Sequence, residues 1–273
     1  MLKIVGASRS GYYSYKKNVG IPTKTEIRNE HLKAEIKEIH EESHCIYGSP
    51  KITVILNKKG EKVSQKHVYN LMSEMGLKAR YIRHRTITTI SEDFSNKMVN
   101  LLNRHFNPTK PNTVWCTDIT YIWTQEDGFV YLTSVMDLFS RKIIAWVLTR
   151  TMDAEAVLKS VIKAKEKTKS VHPIVIQSDR GVQYTSALYQ EITKGMVTSY
   201  SWKGTPWDNA CIESFHSLIK REWLRFYKIE TYEQAYRIVF EYIEGFYNTI
   251  RIHSHCGYQS PLEYEKNYKS KKN

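Results

Sequence analysis

Apolar positions along this chain follow two different periods, and the change between them divides the sequence. Residues 1–28 show no strong periodicity, and Pro22 with Thr23 and Thr25 reads as a break. From Asn29, Leu32, Ile36 and Ile39 recur on one face with charges between them, which predicts an amphipathic helix interrupted at Cys45-Ile46-Tyr47-Gly48. Ser49-Pro50 is a helix start, Ile52, Ile55 and Leu56 give it a buried face, and Gly60 is a stop. Ser64 caps a second short helix, with Val68, Leu71, Met72 and Met75 on its apolar side and Gly76 at its end. From Val114 the pattern changes to strands: Val114–Trp123, a turn at Gln125-Glu126-Asp127-Gly128, then Phe129–Leu138 and Ile143–Leu148. Short turns between neighbouring runs predict an antiparallel meander. A helix capped by Asp153, a strand at Ile174–Ile176, a helix over Ser186–Lys194, a strand over Met196–Ser201 and a helix carrying Glu213 follow. A last long helix begins at Thr231, with Gln234 at capping-box spacing, and runs to Asn248.

These patterns predict a basic tail over 1–28 and a helical, helix-turn-helix-like DNA-binding domain over 29–90. A linker over 91–112, a catalytic core over 113–228, and a C-terminal helix and tail over 229–273 complete the expected organisation. Three hairpin strands and then helix, strand, helix, strand, helix is, by analogy, the element order of the ribonuclease-H-like α/β fold: a mixed five-stranded sheet flanked by helices.

Composition narrows the partners. In 273 residues, 41 Lys and Arg outnumber 28 Asp and Glu, a formal charge of +13, which favours a polyanion. No apolar run approaches the roughly 20 residues needed to span a bilayer, and the N-terminus lacks a signal-like apolar stretch, so a cytoplasmic location is expected. The four cysteines never form a C-x-x-C pair, and His253, His255 and Cys256 lack the second Cys pair of a zinc site.

In a helix-turn-helix, Gln65, Lys66 and His67, at the start of the second helix, would meet DNA; the rival reading is a small helical scaffold. Lys78, Arg80, Arg83 and Arg85 form a basic tract without an acid, suited to phosphate contacts or to a solvated linker. Asp118 lies within the first strand, Asp179 at the end of the fourth, and Glu213 on a helix 34 positions later. Carboxylates converging from two strands and a helix, with no Cys or His among them, suit magnesium or manganese, and two such ions support phosphodiester chemistry. Lys220, seven positions beyond Glu213, lies on the same helix face and could hold a DNA phosphate. Asp137 reads as structural, paired with Arg141 or Lys142. Trp202, Trp207 and Tyr200 flank the loop before the Glu213 helix, either as stacking platforms or as core.

Nearly the whole chain resembles the orfB-type transposases of the insertion-sequence "three" family, whose core is similar to retroviral integrases. The resemblance is carried by Tyr47-Gly48 through Gly76-Leu77, by Trp115-x-Thr117-Asp118-Ile119-Thr120, and by Ser178-Asp179-Arg180-Gly181-x-Gln183-Tyr184-Thr185-Ser186. Lys203-Gly204 with Asp208-Asn209-Ala210-x-x-Glu213-Ser214-Phe215 and the C-terminal Tyr247-Asn248, Arg251, His253-Ser254, Gly257-Tyr258 and Ser260-Pro261 extend it. It departs at Gln177, where the family carries histidine, at Cys256, where leucine is expected, and in a slightly shortened Asp179–Glu213 spacing. The resemblance implies Asp118, Asp179 and Glu213 as catalytic metal ligands for two magnesium or manganese ions, and Lys220 as the basic residue after the glutamate. Arg180, Lys203 and Asn209 join the expected DNA contacts. It also implies nicking at the 3′ ends of terminal repeats, strand transfer by the freed hydroxyl, and an upstream-frame partner with a helix-turn-helix and leucine zipper, joined by frameshifting. No heptad zipper is visible, so the chain reads as the catalytic half, working as a multimer on DNA near the bacterial nucleoid. Two rival readings remain: a ribonuclease-H-like nuclease that cuts without joining, and an inactive DNA-binding remnant.

Overall fold

A computed structural model of the chain describes residues 8–18, 20–80, 99–168, 174–202 and 205–270. They form two compact units, residues 1–79 and 80–273.

The N-terminal unit is helical. α1 (Arg9–Asn18) occupies the stretch without apolar periodicity and buries none of its residues. α2 (Lys24–Glu42) starts earlier than Asn29 because Thr23 and Glu26 form a capping box. The Thr23 hydroxyl accepts from the Glu26 amide at 3.2 Å and the Glu26 carboxylate accepts from the Thr23 amide at 2.5 Å. The apparent break at Pro22-Thr23 is thus the helix start. α3 (Ser49–Lys58) and α4 (Gln65–Glu74) follow. Leu32, Ile36 and Ile39 of α2 share a core with Ile52 and Leu56 of α3 and Val68, Leu71 and Met72 of α4. The α3–α4 turn is fixed by Asn57, whose side chain bonds both the amide and the carbonyl of Val63, and by Gly60 at φ 101°.

The second unit is built on a five-stranded sheet. Its strands are β1 (Val114–Thr124), β2 (Gly128–Asp137), β3 (Ile143–Thr149), β4 (Val175–Ser178) and β5 (Val197–Tyr200). Their order is β3-β2-β1-β4-β5, antiparallel through the first three and parallel through β1, β4 and β5. α5 (Ala154–Thr168), the short α6 (Val182–Thr185) and α7 (Ala187–Ile192) accompany β4 and β5 in the chain. Val157, Val161 and Ala164 of α5 pack with Trp115, Val135, Ile176, Tyr184 and Tyr189 in one core. Between α7 and β5, Gly195 (φ 82°) makes the turn.

Over the opposite face lies α8 (Ala210–Glu222), burying Ile212, Phe215, His216 and Ile219. Behind it, Phe215, Trp223, Tyr242, Phe246 and Tyr247 form an aromatic cluster, with Trp223 stacked on Phe246 at 5.6 Å. The expected long C-terminal helix runs on without a break, α-helical as α9 (Tyr232–Phe240) and then π-helical over Glu241–Tyr247; α10 (Pro261–Ser270) follows. The wider turn carries Asn248 to the sheet edge, where its side chain accepts from the Ile143 amide at 2.9 Å and donates to the Ile143 carbonyl at 3.0 Å. Tyr247 meanwhile donates to the Arg141 carbonyl. The C-terminal motif therefore clasps β3.

Among the described residues no helix is long and apolar enough to cross a membrane.

Candidate active site

The register of the sheet puts two of the acids side by side. Cys116 of β1 pairs with Gln177 of parallel β4, so Asp118 and Asp179 each lie two residues past the same rung. Both lie just beyond the last β1–β4 rung, at the same end of the two strands. Asp118 is also directly across from Ser134 of β2.

α8 delivers the third acid. Its N-terminus is tied to the sheet by Asn209, whose amide donates to the Thr117 carbonyl at 3.2 Å, next to Asp118. Glu213 then sits in the first turn. One turn on, His216 reaches back, with Nδ1 3.3 Å from the Asp118 carboxylate and Nε2 3.3 Å from the Ser134 hydroxyl. His216 braces Asp118 against the adjacent strand. Its signal in the sequence was only its spacing, three residues after Glu213, and its role shows in the cross-strand pairing of Asp118 with Ser134.

The three carboxylates feel one another. Burial and then the Asp118 charge push Asp179 up to about 6; burial, Asp118 and Asp179 push Glu213 up to about 7. Burial lowers the Lys220 pKa, and Asp118 pulls the other way. The acids are neighbours rather than a closed cluster. Among the described residues, the one group of three such side chains with all ligand atoms within 4.8 Å is His31, Glu35 and Glu61 in the N-terminal unit. Mutual repulsion opposes a tighter approach of Asp118, Asp179 and Glu213.

The Asp179 loop is held from within. Asp179 accepts from the Gly181 amide at 2.9 Å, and a Cβ at Gly181 would stand 3.0 Å from that same carboxylate oxygen and 3.1 Å from the Gln183 side chain. Gly181 favours this close packing, since its φ of −56° suits any residue. Gly181→Ala is expected to push the Asp179 carboxylate aside by a few tenths of an ångström and slow any reaction at this site by about tenfold, less than the roughly 10²-fold cost of a 1 Å misplacement. Circular dichroism should show an unchanged fold.

Arg180 donates to the Ser201 carbonyl at 2.9 Å and lies over Trp202, 5.4 Å from the ring centre. Asn209, expected to meet DNA, is 3% exposed and committed to β1, which corrects that reading. His67 is engaged by Asn29 at 3.0 Å, while Gln65, Lys66 and Lys78 are exposed. Arg80 lies over Phe226 at 4.1 Å. Arg83, Arg85 and Lys203 lie outside the described residues.

Asp137 forms no ion pair with Arg141 or Lys142. Arg141 donates to the Leu138 and Phe106 carbonyls, Lys142 pairs with Glu265 at 2.9 Å, and burial raises Asp137 to about 7. Asp208, not singled out from sequence, is the hub of the preceding loop. It is almost fully buried and accepts from Arg104, Asn100, Thr205 and the Trp202 amide. Gln177 is buried and donates to Ser201 at 3.1 Å, joining β4 to the chain after β5.

Comparison with known proteins gives this arrangement its context. Residues 108–204 and 194–261 match integrase core domains, and residues 26–85 match an HTH-like domain. The transposase for insertion sequence element IS904 of Lactococcus lactis is 38% identical over 247 residues, 90% of this chain and 97% of the relative. The chain belongs to the IS3-family transposases. InsF, the transposase of IS3A in Escherichia coli, is 33% identical over 268 residues, covering 97% of this chain and 92% of InsF. The catalytic core domain of HTLV-2 integrase, solved in complex with magnesium, aligns with TM-score 0.43 and 15% identity over 57% of this chain and 96% of that one.

In this IS3-family chain the raised carboxylates have a consequence for stability. Asp179 and Glu213 have folded-state pKa values above their unfolded ones, so the folded form holds extra protons between about pH 4 and pH 7. Metal-free protein is therefore expected to lose stability as pH rises through that window. If these acids hold magnesium, the ion should raise the melting temperature more at pH 8 than at pH 5. Thermal melts at the two pH values, with and without the ion, check this.

Proposed function

We propose that this chain is the catalytic subunit of its insertion element, cutting 3′ ends at the terminal repeats and joining the freed 3′-hydroxyl to a second phosphodiester. The observation that supports it is the register that sets Asp118 beside Asp179 and the α8 tether that brings Glu213 to both. Hard oxygen donors with uncompensated charge fit magnesium or manganese. Asp118, Asp179 and Glu213 would hold the metal. When bound, such an ion polarises the phosphate and lowers the pKa of an attacking hydroxyl or water. His216 keeps the Asp118 carboxylate oriented, Gly181 and its amide fix Asp179, and the half-buried Lys220 ammonium offers a contact for a phosphate oxygen.

The helical unit would grip DNA through Gln65, Lys66 and Lys78, and the tract with Arg80, Arg83 and Arg85 would add phosphate contacts. Joining needs two ends held together, so a multimer on DNA, with the upstream-frame protein or its frameshift fusion as partner, is part of the proposal. Incubation of precut, labelled element ends with a target duplex and magnesium tests it. The proposal expects joined product of increased length. Cleaved fragments without joined product would favour a plain nuclease.

A further inference from the structure

The outer end of β1 carries a second feature, separate from the acids. β4 pairs with β1 only at Val114–Cys116, so from Thr117 onward β1 has a partner strand on one side alone. Beside this stretch, between it and residues 224–229, lies an open cavity of about 480 Å³, within the usual range of ligand clefts, about 300–1,000 Å³. Its aromatic wall is exposed: Tyr121 at 57%, Trp123 at 58% and Phe129 at 47%. Phe129 meets Tyr121 and Trp123 edge to face at 5.2 and 4.9 Å, so the three rings brace one another. Lys220, Arg225 and Lys228 line the same cavity, and among the described residues no Asp or Glu does. Lys220 has its ammonium 4.2 Å from the Tyr121 ring centre.

We propose that this cleft binds unpaired nucleotides of the DNA end next to the cut, bases stacking on Tyr121, Trp123 and Phe129 and phosphates meeting Lys220, Arg225 and Lys228. Exposed aromatic rings with three cations among the lining residues are the recognition chemistry of single-stranded nucleic acid. Duplex bases, already stacked on one another, cannot use those faces. The placement also fits. Tyr121 follows Asp118 by three residues on one strand, about 10 Å, with its side chain on the other face of that strand. Because β1 is an open edge here and Lys220 reaches the Tyr121 ring, a strand whose phosphate lies at the acids can pass Lys220 around this edge into the cleft. The acid-free lining argues against a protein partner, whose complementary surface would have to supply all the negative charge. This inference rests on the reading of the acids as the cutting site.

The test is fluorescence anisotropy in EDTA, so that no cleavage intervenes, comparing a blunt duplex with the same duplex bearing a short unpaired thymidine tail. For the wild-type chain the tail should tighten binding about tenfold, the scale of one or two stacked bases. Trp123→Ala and Phe129→Ala should each erase most of that gain and leave blunt-duplex affinity unchanged. A second measurement does not rely on substitution. With 5-iodouracil in the tail, photocrosslinks should map by mass spectrometry to Tyr121, Trp123 or Phe129. An equal tail effect in the variants, or crosslinks confined to other residues, overturns the proposal. So does loss of self-association in the variants with the tail effect intact, which would make the cleft a protein contact. If the tail effect fails while wild-type protein still joins ends, the catalytic reading stands alone. If joining fails while the tail effect holds, only the catalytic reading falls.

Discussion

Asp118→Asn should abolish joining of labelled element ends, lowering the rate at least about 10³-fold, while the protein melts at or above the wild-type temperature. Asp118 raises the pKa values of both other acids and is braced by His216. Asparagine keeps its shape but withdraws the charge that would hold a metal. Metal-assisted stabilisation of a phosphoryl transition state is worth several kcal/mol, and each 1.36 kcal/mol is about tenfold in rate. The stability expectation has the opposite sign. With one negative charge removed, Asp179 and Glu213 ionise with less mutual repulsion at neutral pH. A structural carboxylate would give the reverse pattern: a lower melting temperature, and activity lost only as the protein unfolds. Glu213→Gln should behave as Asp118→Asn does. An inactive DNA-binding remnant would be indifferent to both changes.

Arg251→Met should cost about 3–5 kcal/mol of stability, the penalty for leaving a buried charge without its partner. Arg251 donates from Nε and Nη2 to both Glu222 oxygens, at 2.8 and 2.7 Å, and Tyr242 adds a bond to Glu222 at 3.0 Å. Both charged side chains are buried. Burial alone would lower the Arg251 pKa, yet the Glu222 bonds hold it above its ordinary range. Glu222 is the last residue of α8, the helix that carries Glu213 and Lys220, so the pair anchors the far end of the active-site helix. Removing arginine strands the glutamate at a helix C-terminus, where its charge opposes the dipole. A loss of this size should lower the melting temperature by about 10 °C for a unit of this length. The double change Arg251→Met with Glu222→Leu should recover most of it, because an apolar pair of similar volume can replace a buried ion pair. No loss on Arg251→Met would show that the pair contributes nothing to the fold.

These two sites differ in how far the sequence revealed them. The strand and short-helix patterns were legible because each element has one buried face, and Leu32, Ile36 and Ile39 or Val68, Leu71 and Met72 mark it by spacing alone. Asp118, Asp179 and Glu213 were legible as isolated acids after apolar runs. Their adjacency depends on the β1–β4 register, which no local pattern encodes. Thr23 and Glu26 carried a capping-box spacing that the neighbouring proline disguised as a break. The π-helical run was hidden because Ala235, Val239, Ile243 and Phe246 keep helical spacing, while the wider turn is set by Asn248 reaching Ile143. Asn209 counts among the expected DNA contacts alongside the family resemblance; in the fold its amide donates to the Thr117 carbonyl. Glu222 with Arg251, and Asp208 with Arg104 and Asn100, are long-range polar pairs whose partners emerge only in three dimensions.

The proposed catalysis depends on one shared property of three side chains that are distant in sequence, the capacity to hold a divalent cation together. Titration of manganese into the protein, followed by electron paramagnetic resonance, measures it without DNA or turnover. Wild-type chain should bind the ion at a site that Asp118→Asn, Asp179→Asn and Glu213→Gln each weaken about tenfold or more, the scale on which a lost metal contact registers. Manganese binding unchanged in the protein carrying all three substitutions would contradict it.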